Sequence, residues 1–176
     1  MRLGRLLGSN GCDITTFQLD QCLDSKRFAH DCAAEGLCHT LRLPPALRNA
    51  ADPDLLAALM TGSQPLVTFD RALPEEHSQF IPESHPGILI VSNYPAPQTM
   101  TVRIAQRVLS RFKRAVPNWH EAVWKNSIVE LTSVGVEVWH VADKELVHDD
   151  YYTFDTPDWP SLLFAVLMQN AQRQPL

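Results

Sequence analysis

The stretch "PLVTFDRALP", Pro65 to Pro74, decides how the rest of the chain is read. Leu66, Val67 and Phe69 read as a short buried strand bounded by proline. Asp70 then stands where an acid is costly to bury. It is either the first polar residue of a turn or a carboxylate that the strand delivers to a site. The choice turns on whether other acids arrive at the same place.

The flanking segments set the context. Upstream, "ADPDLLAALMTG" reads as a helix: Asp52 as N-cap, Pro53 at the first helical position, Asp54 in the first turn. Leu55, Leu56, Leu59 and Met60 form its apolar stripe, and Gly62 ends it. Earlier still, "ITTFQLD" (Ile14 to Asp20) is a β-branched and aromatic strand, and "SKRFAHDCAAEGL" (Ser25 to Leu37) a helix. "LRLPPALRNA" reads as a loop around its Pro-Pro pair. Downstream, "RALPEEHSQFIPESHP" reads as a polar, proline-punctuated loop. "GILIVSN" (Gly87 to Asn93) is the continuous apolar run of a strand covered on both faces.

Beyond it, "PQTMTVRIAQRVLSRFKRAVP" reads as a long amphipathic helix. Ile104, Val108, Phe112 and Val116 line one side; Arg103, Arg107, Arg111 and Arg114 line another. "NSIVELTSVGVEVWHV" predicts a hairpin turning at Ser133 to Gly135. An acidic, aromatic segment follows, then a last helix, "PSLLFAVLMQNAQ". Strands alternating with helices predict a three-layer α/β fold. Its central sheet is mostly parallel and flanked by helices, with a C-terminal β-hairpin and a terminal helix. The expected organisation is a flexible extension over 1–13, a domain over 14–142, and a segment over 143–176 packed on that domain.

The chain has 176 residues, a formal charge of −5 and 45% hydrophobic residues, which is ordinary for a globular protein. A global basic footprint for nucleic acid is absent, so any such contact needs a local basic stripe. No apolar run reaches membrane-spanning length, and the expectation is a cytoplasmic protein with no membrane partner. Cys12, Cys22, Cys32 and Cys38 include no CxxC pair. His30, Cys32, Cys38 and His39 admit a zinc reading beside the plainer one of buried thiols at a helix end. No GxSxG and no glycine-rich loop after a strand occurs, which argues against serine hydrolases and phosphate-cradling folds.

In open α/β sheets the functional crevice lies outside the carboxyl ends of the strands. Asp20 ends "FQLD" and Asp70 ends "VTFD". A helix running back into the second of these strands starts at the same edge, so Asp52 and Asp54 fall there too. Gathered carboxylates repel one another, and a divalent ion resolves that cost. Oxygen ligands select Mg2+ or Mn2+, which acidify water and clamp a phosphodiester. Singly, each acid has a plainer reading, as a turn residue or, for Asp52, a cap.

These motifs in this order, "FQLDQCLDSKRF", "ADPDLLAAL", "PLVTFDRAL" and "HPGILIV", resemble the PIN-domain fold, and within it the small bacterial PIN-like nucleases. The resemblance spans about Phe17 to Val91. It implies a metal-dependent endoribonuclease with Asp20, Asp52 and Asp70 as catalytic acids. Asp54 joins them as a ligand of Mg2+ or Mn2+. It further implies RNA as substrate, a small antitoxin protein as partner to a toxin, and a paired homodimer. His85, Pro86 and Gly87 match a turn before the next strand. The chain departs from the family where Ala72 and Leu73 replace an acid followed by Phe, and near Gln21 and Cys22. Those departures put a fourth acid in doubt and keep open a second reading, a catalytically weakened PIN-like binding or regulatory module.

Cations must surround an acidic pocket that takes RNA. Arg71 follows Asp70 directly, and Lys26 and Arg27 follow Asp20; all three are candidate phosphate contacts. The arginine stripe of the long helix is either a phosphate surface or a solvated helix face. Trp119 and Trp124 offer base stacking or core packing. His77 and His85, in the predicted loop after Asp70, are conceivable general acids.

Overall fold

The structure, a computed structural model, describes residues 15–93, 101–115 and 121–173. The predicted extension 1–13, Trp119 and the first residue of the "ITTFQLD" run lie outside the described residues. The described strands are β1 (Thr16–Leu19), β2 (His39–Leu41), β3 (Leu66–Thr68), β4 (Ile88–Val91), β5 (Ile128–Leu131), β6 (Gly135–Ala142) and β7 (Glu145–Thr153). The helices are α1 (Lys26–Ala34), α2 (Asp52–Leu59), α3 (Ala72–His77), α4 (Val102–Ala115) and α5 (Trp159–Ala171).

All seven strands join one sheet in the order β2-β1-β3-β4-β5-β6-β7. The first five run parallel; β6 and β7 are antiparallel additions. Every residue of β3, β4 and β5 is buried, as strands covered on both faces require. One face packs Leu19, Val67, Leu89 and Val129 against Phe28 of α1, Val108 and Phe112 of α4, and Leu163 of α5. The other packs Leu66, Ile88, Ile90 and Ile128 against Leu55 and Leu56 of α2 and Leu73 of α3. The result is the expected three-layer α/β architecture with a mostly parallel sheet.

The chain goes outward from β1 to β2, then returns past β1 to β3 and builds in the opposite direction. The reversal therefore lies between β1 and β3. There the connections leave the sheet in opposite directions, the topology at which open α/β sheets form a crevice at their carboxyl edge.

Four local readings differ. The loop read around the Pro-Pro pair begins in β2, a three-residue edge strand with two exposed side chains. Its pairing to β1, not its own apolar pattern, makes it a strand. The loop read after Asp70 contains α3 and a 3-10 turn over Ser78–Phe80; Pro74 sits within the first turn, where its missing N–H is harmless. Asp52 is not the cap of α2. Ala51 is, without a side-chain bond, and Asp52 is the first helical residue. The acidic segment after Ala142 is the long strand β7, paired along β6, so the 143–176 segment shares the same sheet. The hairpin expected over Ser133 to Gly135 is the β5–β6 connection.

The turn before β4 needs its glycine. Gly87 has φ +113°, and a Cβ there would collide with the backbone carbonyl of Trp124. Cys32 and Cys38 are buried among the residues packed between α1 and the sheet, whereas His30 and His39 are exposed. Among the described residues, no group of three or more His, Cys, Asp or Glu side chains is placed to hold a metal ion.

Candidate functional site: the acidic crevice between β1 and β3

β1 ends at Leu19, and the next residue, Asp20, turns the chain into a 3-10 turn over Gln21–Leu23. Asp20 is only 7% exposed. Its carboxylate is held by its own neighbourhood. The Gln21 N–H donates to Oδ1 at 2.6 Å. The Thr68 hydroxyl donates to Oδ2 at 2.6 Å, and the Cys22 thiol to the same oxygen at 3.3 Å.

Thr68 joins the two strands. Fully buried at the end of β3, it gives its proton to Asp20 and accepts the Asp70 N–H at 2.9 Å. One hydroxyl thus ties the first and third acids of the predicted set together across the reversal point. Cys22 closes the same knot: the Phe69 N–H donates to its sulfur at 3.3 Å. Although Cys22 as a residue is exposed, desolvation of its sulfur, and then the Asp20 charge, push its thiol up to about 11, which keeps it a donor.

Asp70 is exposed, and its Oδ1 accepts the Ala72 N–H at 3.0 Å, opening α3. Both readings of Asp70 are therefore true: it is a turn residue, and it stands at the edge where Asp20 stands. Asp52 is half-exposed and faces His77 across the start of α2, with 3.7 Å between Oδ2 and Nε2. Asp54 is exposed. Thr68 links the Asp20 carboxylate to the Asp70 backbone, while Asp52 and Asp54 lie in the first turn of α2.

Of the predicted cations, Arg71 is committed inward. Its Nε donates to Glu130 Oε2 at 3.0 Å. Glu130 sits in β5, opposite Ile90, which in turn lies opposite Thr68. It is fully buried, and its Oε1 has no hydrogen-bond partner. Sequence reading missed Glu130. The signal was an acid inside the apolar run "IVEL", which is rare unless paired. Also missed was Asp24, which pins the turn after Asp20. Arg42 grips it through Nε at 2.7 Å, Arg48 lies at 3.5 Å, and the Arg42 bond holds its carboxyl below the usual range. Lys26 and Arg27 open α1 and are exposed; Arg27 lies 3.7 Å from Asp31.

A carboxylate offers about four acceptor positions, so three donors leave Asp20 one. Asp70 Oδ2 has no partner among the described residues. Free carboxylate oxygens of this kind suit a hard cation such as Mg2+, with water and substrate oxygens completing its shell. Among the described residues they do not form a cluster of three or four protein carboxylates. His85, conceived as a general acid, is buried at the opposite, amino edge of the sheet, ahead of β4. Trp124 packs in the core against Phe17 and Phe112.

No family model, no curated protein and no solved structure matches the chain.

Proposed function

We propose that the crevice between β1 and β3 is the centre of a PIN-like, metal-dependent ribonuclease that hydrolyses RNA phosphodiesters. One observation carries the reading. Asp20 and Asp70 leave adjacent parallel strands, and Thr68 bonds both the Asp20 carboxylate and the Asp70 N–H at the point where strand order reverses. A divalent ion bound there supplies positive charge to the phosphate and acidifies its bound water. The chain's own contribution is positioning. Thr68, Gln21 and Cys22 fix the Asp20 carboxylate in one orientation, and the Asp24–Arg42 clamp fixes the turn that carries it. Exposed Asp70 faces incoming substrate, with Lys26 and Arg27 at the start of α1 to meet its phosphates.

A second reading rests on a separate observation. Ala72 stands where relatives in the resembled family carry an acid, and Asp20 already accepts three hydrogen bonds. On that reading the chain binds RNA without cutting it. Cleavage of a mixed single-stranded RNA pool separates the two, run with Mg2+, with Mn2+ and with EDTA, beside Asp70→Asn. The nuclease reading predicts metal-dependent cleavage that the variant loses. No cleavage in either metal, with RNA still bound, selects the binding module.

A further inference from the structure

α4 carries five cations, Arg103, Arg107, Arg111, Lys113 and Arg114, and no acid. In a chain of net charge −5 this is a concentrated patch. Steps of four, four and three residues set the four arginines on one side of the helix, spread over about 16 Å. Ala105, Val108, Leu109 and Phe112 occupy the other side and are buried in the core. With Gln106 and Ser110 the arginines line a groove of about 560 Å3, and Glu35, just past α1, is part of its wall.

Neighbouring acids do not account for Arg103, Arg107 and Arg114. Asp31 of α1, which Arg27 also approaches, and Glu35 just past it accept from neutral donors on α4: Gln106 Nε2 donates to Asp31 at 3.0 Å and Ser110 to Glu35 at 3.4 Å. Arg111 is built in, its guanidinium 4.5 Å over the Phe154 ring and donating to the Ser133 carbonyl at 3.0 Å. Arg103, Arg107 and Arg114 have no carboxylate partner among the described residues. Arg103 also lies in the first turn of α4, where the helix dipole disfavours a cation.

We propose that this groove binds the sugar-phosphate backbone of single-stranded RNA. The strand leads on past Arg27 and Lys26 to the Asp20–Asp70 edge. Guanidinium forks match phosphate oxygens two at a time. The groove presents no exposed aromatic ring, so binding follows the backbone and not the bases. A lipid surface is the poorer match, because interfacial helices need an exposed apolar face and that of α4 is already in the core. The inference deepens the proposed ribonuclease reading by naming where its substrate lies.

The test is fluorescence anisotropy of a labelled oligouridylate with the full chain in EDTA, so that binding is read whether or not metal-dependent cleavage occurs. The four groove arginines contribute about −3 to the log–log salt slope, roughly 50-fold of the weakening between 50 and 200 mM salt. Arg103→Gln with Arg107→Gln removes about half of that contribution, leaving roughly 7-fold from the groove over that range. Arg103→Lys with Arg107→Lys keeps the salt dependence. Circular dichroism checks that the variants fold. A slope unchanged by the glutamine pair overturns the proposal. So does stronger binding to vesicles containing anionic lipid than to the oligonucleotide. Intact binding in EDTA with no cleavage in Mg2+ or Mn2+ would leave this groove standing and remove the nuclease.

Discussion

Thr68→Val keeps the shape of the side chain and removes the hydroxyl that joins Asp20 to Asp70. The residue is fully buried and Asp20 is 7% exposed, so water cannot readily replace the lost donor. The bond from Thr68 to the Asp20 carboxylate is 2.6 Å long, and a hydrogen bond to a charged group contributes about 1.5–3 kcal/mol. The Asp70 N–H also loses its acceptor, but Asp70 is exposed and water recovers part of that loss. The expected destabilisation is about 2–4 kcal/mol, read as a fall in the urea midpoint with an unchanged slope. Thr68→Ser keeps the hydroxyl and loses one methyl, so it costs about 1 kcal/mol. A double-mutant cycle with Asp20→Asn should show a coupling of about 1–2 kcal/mol between the two positions. A valine variant as stable as wild type, a serine variant as damaged as valine, or zero coupling would refute the idea that this hydroxyl ties the two acids.

Three further predictions probe the surroundings. Gly87→Ala combines a positive φ with a clash against the Trp124 carbonyl; it should cost more than about 2 kcal/mol in urea denaturation, whereas Gly36→Ala, open around its Cβ, should cost less. His85 is buried and held neutral, its value lowered from 6.5 to about 4 by desolvation. The unfolded chain takes up this proton first as pH falls, so His85 contributes stability above pH 6.5 that is lost progressively towards pH 4, by about 3 kcal/mol in all. His85→Phe should flatten that part of the stability–pH curve. Arg71→Gln strands the buried Glu130 carboxylate and should destabilise by about 2 kcal/mol at pH 7, allowing for the partial exposure of the arginine; adding Glu130→Gln should recover most of the loss in thermal unfolding.

Much of this architecture is legible in the sequence, and the exceptions have physical causes. The fully buried strands β3, β4 and β5 announce themselves as apolar runs, because both of their faces are covered. Asp20 and Asp70 are legible as acids at strand ends. β2 is not, since a short edge strand with exposed side chains owes its form to its partner. α3 hid behind Pro74 and a run of polar residues, because a proline in the first turn looks like a loop signal until the helix start is known. The knot around Asp20 was invisible. Thr68 and Cys22 lie 46 residues apart, and only the β1–β3 pairing brings them into contact. Glu130 was missed for the same reason: its partner Arg71 is 59 positions away in sequence. The sequence names the acids; the fold decides which of them meet.

We propose that Asp20 and Asp70 together hold one hard cation. Calorimetric titration of Mn2+ into the wild type, Asp20→Asn and Asp70→Asn tests it most directly. The predicted result is one Mn2+ per wild-type chain, lost or at least 10-fold weaker in each variant, with Asp54→Asn unchanged. Binding that neither substitution weakens, or no binding to the wild type at all, would contradict it.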